Sequence, residues 1–169
     1  MKANGTMRKL AIAALALAFG CTALQSAEKP AERGAEPGKW TMDFDAAKRV
    51  AAERHLPLLL NFTGSDWCYW CKLMDKQVFS TDAWSAWAAE HLLEVWIDFP
   101  SDKTLVPMAY VVRNRKLSDD FGVEGYPTYI LLSEDGETVL GQLGASRTAT
   151  PESFIGEVEA CLPAAPEAD

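Results

Sequence analysis

The sequence predicts an α/β domain built on a mixed sheet. Apolar stripes at three- and four-residue steps alternate along the chain with short, densely apolar runs, the pattern of helices interleaved with strands. The last two apolar runs flank Glu134-Asp135-Gly136-Glu137, and Asp-Gly between such runs marks an antiparallel hairpin. The order is helix, strand, helix, strand, helix, then hairpin and helix, an α/β pattern that ends in an antiparallel pair.

The first segment reads as a targeting signal outside that fold. Arg8 and Lys9 precede Leu10 to Phe19, which are all Ala, Leu, Ile or Phe, and small residues follow. A basic start and a short apolar core, well under the roughly 20 residues of a membrane span, describe a secretory signal peptide over residues 1–27. Met7-Arg8-Lys9 is a complete basic start by itself, and Ala23, Ser26 and Ala27 are the cleavage points the pattern offers. The rival reading takes Gly20-Cys21 as a lipoprotein site with a lipid on Cys21, although Ala18 and Phe19 suit it poorly.

Residues 28–39, rich in Pro, Gly, Ala and charge, read as a flexible tether. The domain is expected over 40–162, with 163–169 as a C-terminal tail. Phe44, Ala47, Val50 and Ala51 place a helix over 43–55, before Leu58 to Phe62, a buried strand that is apolar except for Asn61. A loop to Trp67 precedes a helix from about Cys68 to Val78. Ser80, Thr81 and Asp82 are cap-type residues ahead of a helix over 83–90. Leu92 to Asp98 is the next strand, and Val106, Ala109, Tyr110, Leu117 and Phe121 line one side of a helix. Thr128–Leu132 and Thr138–Leu143 form the hairpin. Thr150-Pro151-Glu152 opens the last helix, with Pro in its tolerated first turn and Glu at the positive end.

Without residues 1–27 about 140 residues remain, enough for one domain with a core. Removing Lys2, Arg8 and Lys9 from the 16 basic residues leaves 13 against 24 acidic ones. That balance argues against nucleic acid or an anionic membrane as the main partner. Lipidation of Cys21 would be the one membrane link.

Cys68-Tyr69-Trp70-Cys71 carries the chemistry. The thiolate is the reactive form of cysteine, and unpaired N–H groups at a helix start favour it. Cys68, at the first turn and after a loop, is expected to be the more exposed and the nucleophile. Cys71 is expected to be the resolving thiol. A zinc half-site lacks a second ligand pair, since Cys161, His55 and His91 are scattered along the chain. A purely structural disulfide across so small a loop would contribute little chain entropy. Cys161 lies on the apolar stripe of the last helix and reads as a buried inert thiol, with a regulatory or intermolecular disulfide as the alternative.

Residues 58–71, LLLNFTGSDWCYWC, are similar to the strand and active-site turn of thioredoxin-like proteins, as is Val123-Glu124-Gly125-Tyr126-Pro127-Thr128. The resemblance covers roughly 43–162, and the segment after the CxxC looks most like the exported branch related to the C-terminal domain of DsbD. It implies a thioredoxin fold, with a central mixed sheet flanked by helices and an N-terminal helix before the CxxC strand. It also implies a cis Pro127 beside the cysteines and a Tyr126 whose backbone meets an extended substrate.

The function so implied is a periplasmic or otherwise extracytoplasmic thiol–disulfide oxidoreductase that reduces or exchanges protein disulfides. Cys68 and Cys71 would be catalytic, and Trp67, Tyr69, Trp70, Tyr126 and Pro127 would contact substrate. Partners would be protein thiols and disulfides and an upstream redox partner. The protein would be a monomer with no metal and no cofactor. The alternative is a non-catalytic, chaperone-like module that holds polypeptides on its aromatic rim.

Two departures stand out. Asn61 takes the place of a buried Asp that serves proton transfer in many thioredoxins, which leaves Asp66, Glu124 or water for that task. Tyr69-Trp70 offers no His to stabilise the thiolate strongly, which suits a reductase or general exchanger better than a strong oxidant.

Overall fold

The structure is a computed structural model and describes residues 29–163. The signal segment with Cys21 and most of the tail lie outside the described residues. The elements are β1 (Trp40–Thr41), α1 (Phe44–Arg54), β2 (Leu58–Thr63), α2 (Tyr69–Met74) with a π-helical turn (Asp75–Phe79), α3 (Asp82–His91), β3 (Leu93–Asp98), α4 (Met108–Asp120), β4 (Thr128–Leu132), β5 (Val139–Leu143) and α5 (Pro151–Cys161). They form a five-stranded mixed sheet in the order β1-β3-β2-β4-β5. The first three strands in that order are parallel, whereas β4 runs antiparallel to β2 and β5 to β4.

β2 is the central strand, and all six of its residues are buried. That is why its run is continuously apolar: both faces are covered. Leu58, Leu60 and Phe62 face the core that holds Phe44, Ala47 and Leu117 of α1 and α4. Leu59 faces the opposite core with Met74, Val78, Trp84 and Phe154. Phe79 sits inside that second core, with edge-on ring contacts to Trp40, Trp84, Tyr129 and Phe154 at 5.1–5.4 Å.

Local chemistry sets the helix ends. Asp43 accepts from the Ala46 N–H, Thr81 from Trp84 and Thr150 from Ser153. Thr150 and Ser153 bond reciprocally as a capping box, which satisfies two backbone donors that α5 cannot pair internally.

The fold corrects three readings. The helix expected to begin near Val106 begins at Met108. Pro107 disfavours helical backbone in the residue before it, and Val106 is extended at φ −123° and ψ 125°. Trp96, which its place in an apolar strand would put in the core, is only partly buried: it packs edge-on against Trp40 and borders a cavity. The stretch read as a flexible tether is tied down. The Ala31 N–H donates to the Trp40 carbonyl and Met42 N–H to that of Ala31, while Thr41 Oγ1 donates to the Gly34 carbonyl and Tyr110 Oη to that of Glu32. Its glycines are used for shape. Gly38 has φ +74°, and a Cβ there would lie 2.7 Å from Ala89 on α3.

Candidate active site

β2 delivers the chain to a turn at the end of the sheet. Its residues are fastened one after another to the end of β3 and the loop that follows it. Ser65 donates through N and Oγ to the Asp98 carboxylate at 2.9 and 2.5 Å. The Asp66 carboxylate accepts from Ser101 N and Asp102 N at 2.9 and 2.8 Å. The Trp67 indole N–H donates to the Phe99 carbonyl at 2.9 Å. Three consecutive residues therefore fix the path of the chain into the cysteines.

Cys68 is the N-cap of α2, and its Sγ accepts from the Cys71 N–H at 3.2 Å. Cys68 and Cys71 are joined in a disulfide with Cα atoms 5.3 Å apart. Cys68 was expected to be the more exposed, yet the two are 5% and 6% exposed. In the bonded state the Tyr126 carbonyl lies against Cys68, and Cys71 is on the buried side of α2. The Tyr126–Pro127 peptide is cis. Cys68 Sγ lies 3.6 Å from the Tyr126 carbonyl oxygen, so the turn before β4 sits directly beside the sulfur.

Aromatic rings wall this junction. Tyr126 stacks on Phe99 at 5.1 Å and meets the Trp67 edge at 5.9 Å. Tyr69 is edge-on to Trp70 at 5.6 Å, and the Arg147 guanidinium lies 5.2 Å from the Trp70 ring. Trp67 and Tyr69 are 51% and 69% exposed. Five residues named from sequence for substrate contact, Trp67, Tyr69, Trp70, Tyr126 and Pro127, thus border the disulfide on two sides. Phe99 and Arg147 join them unforeseen. Phe99 falls in the run 99–104, which reads as a plain loop after the strand, and Arg147 is 76 positions beyond Cys71 in the chain.

The carboxylates fare differently. The backbone N–H groups of Asp102 and Ser101 hold the Asp66 carboxyl below the usual range, so it stays charged and serves as a loop cap. Of the two roles open to Asp66, proton handling or a loop cap, these bonds favour the cap. Glu124 is exposed. Asn61 is buried, and its Oδ1 has no hydrogen-bond partner. Cys161 is free and half-buried against β5: a Cβ on Gly141 would lie 2.4 Å from its Sγ.

A cysteine pair at the start of a helix, reached from a central strand and faced by a cis-proline turn, is the architecture of the thioredoxin-fold thiol–disulfide oxidoreductases. Residues 44–158 match the family of the thioredoxin-like domain, and the chain belongs to that family. It is 35% identical over 94 residues to the disulfide bond reductase DsbH of Chlamydia pneumoniae, covering 56% of each chain. It is 26% identical over 137 residues to the thioredoxin-related protein DsbJ of the same organism, covering 79% of this chain and 38% of that one. The chain therefore spans about half or less of the curated relatives it matches. Among solved structures, a DsbH oxidoreductase superposes with a TM-score of 0.67 at 25% identity, covering 81% of this chain and 94% of that one. The reduced C-terminal domain of Neisseria meningitidis DsbD shares the fold, with a TM-score of 0.51 at 21% identity over 70% and 93% of the two chains.

Proposed function

We propose that this protein reduces or exchanges disulfides in other proteins, working outside the cytoplasm as a monomer. The observation that carries the reading is the Cys68–Cys71 pair set against the cis turn, with Cys68 Sγ 3.6 Å from the Tyr126 carbonyl. The name of the relative, a disulfide bond reductase, supports the reductive direction. The signal-like pattern of residues 1–27 supports the compartment. Among the described residues no helix is long and apolar enough to cross a membrane. The domain on this reading begins near Ala31, ahead of the expected residue 40.

The dithiol form starts the cycle. Cys68 thiolate attacks one sulfur of a substrate disulfide, which forms a mixed disulfide and releases one substrate thiolate. Cys71 thiolate then attacks Cys68 Sγ and releases the second. Two electrons have passed to the substrate, and the protein holds the Cys68–Cys71 bond seen here. A dithiol partner upstream restores it. Trp67, Tyr126 and Trp70 would hold an extended substrate across the Cys68 sulfur, with backbone contacts at Tyr126.

Insulin-disulfide reduction with a dithiol donor tests this. The wild type should turn over, Cys68→Ser should not, and Cys71→Ser should accumulate the mixed disulfide. A wild type that shows no turnover with any dithiol donor, yet binds unfolded polypeptide, would favour the holding module instead.

A further inference from the structure

Asn61 cannot titrate and Asp66 is committed to a loop, so the proton that Cys71 must lose still needs an acceptor. One carboxyl lies on the inner stripe of the same helix. Residues 71, 74, 75 and 78 share that stripe at steps of three and four, and Cys71, Met74 and Val78 are buried. Asp75 is the half-buried member. Its N–H donates to the Cys71 carbonyl, while its own carbonyl accepts from Ser80 N at 2.8 Å, five residues on. Asp75 is thus the residue at which α2 widens into the π-helical turn, a feature that concentrates at functional sites.

The surroundings give this carboxyl a route to water. Asp75 lines a cavity of about 580 Å³ between the N-terminal segment, the π-helical turn and the start of α3. The other charged walls are Lys29, Glu36, Lys39 and Asp82, with Trp96 from β3. Lys39 bonds Glu36 at 2.8 Å, and Lys29 lies 4.0 Å from Glu32. From β4 the buried Tyr129 faces Asp75, and Tyr129 pairs across the sheet with Asn61. The unpartnered Asn61 Oδ1 lies on this same face of β2, two residues beyond Leu59. Burial holds the Asp75 carboxyl above its ordinary range, opposed in part by the Ser80 hydroxyl.

We propose that Asp75 accepts the proton of Cys71 when the mixed disulfide is resolved and passes it to water in the cavity. The inference rests on the thiol–disulfide reading above. The Cys71 S–H proton moves to the Asp75 carboxylate, directly or through one water. The resulting thiolate attacks Cys68 Sγ, the Cys68–substrate bond breaks, and the substrate leaves as a thiolate. Asp75 then returns its proton to solvent. Only the ionised carboxyl can accept, so the assistance fades as pH falls through its raised pKa.

A chromogenic aryl disulfide separates the two steps. The reduced protein releases one coloured thiolate when Cys68 attacks and a second when Cys71 resolves. Asp75→Asn should leave the first release within twofold of wild type. It should slow the second by tenfold to a hundredfold at neutral pH, at or below the usual worth of a positioned general base. Asp75→Glu should restore much of that loss, as should Asn61→Asp placed on Asp75→Asn. Two results overturn the proposal: an unchanged second release with an unchanged pH profile, or equal slowing of both releases. Failure of the wild type to release even the first thiolate would instead overturn the functional reading itself.

Discussion

Glu94 offers a quantitative test of how the sheet handles a buried charge. It lies on β3, fully buried, with Trp84 Nε1 donating to its Oε1 at 2.6 Å. Burial pushes its carboxyl up from 4.5 to about 7, and the Trp84 bond offsets only part of that. The folded protein therefore holds this proton more tightly than the unfolded chain does. Its contribution to stability is complete below about pH 4.5 and is lost as pH rises through about 7. At about 1.4 kcal/mol per pH unit, the loss is on the order of 3 kcal/mol. Glu94→Gln keeps an acceptor for Trp84 and carries no charge. Urea unfolding of the oxidised protein, followed by tryptophan emission across this pH range, gives both stabilities. The variant minus wild-type difference should grow by about 3 kcal/mol from acid to alkaline pH. Asp75, which is raised as well, is common to both proteins and cancels. A difference flat to within about 0.5 kcal/mol, the usual effect of a surface change, would refute the reasoning.

Two further predictions concern packing. Phe79→Ala should cost about 3–5 kcal/mol in the same unfolding assay, because four other rings lose their common neighbour. Gly141→Ala should destabilise by about 1–3 kcal/mol through collision with the Cys161 sulfur. Adding Cys161→Ala should recover most of that, and a purely additive double mutant would contradict the contact.

What was legible in the sequence was local. The continuous apolar run fixed β2, the Asp-Gly turn fixed the hairpin, and Thr81 and Thr150 marked helix starts, because each is decided by a few neighbouring residues. The cysteines and the aromatic residues beside them were legible for the same reason. What escaped depends on distant partners. β1 is two residues long, too short for any periodicity. Glu94 was absorbed into an apolar strand, although a lone Glu between Leu93 and Val95 was a visible signal of a buried acid. Asp75 looked like an ordinary helix residue, since its setting is made by a π-helical turn and by a segment more than 30 residues upstream. The Pro- and Gly-rich composition of that segment suggested freedom, but its hydrogen bonds are specific.

That segment also occupies part of one edge of the sheet. Without β1, the outer side of β3 would present unpaired N–H and C=O groups, a template for strands from other molecules. Trp40 and Thr41 occupy it in parallel register with Glu94 and Val95, and Ala31 bridges Thr41 on the far side. A protein whose proposed clients arrive extended and unpaired risks recruiting them edge to edge into an aggregate. The short strand and its folded-back lead narrow that route on the β3 side, at Glu94 and Val95, while β5 forms the opposite edge of the sheet.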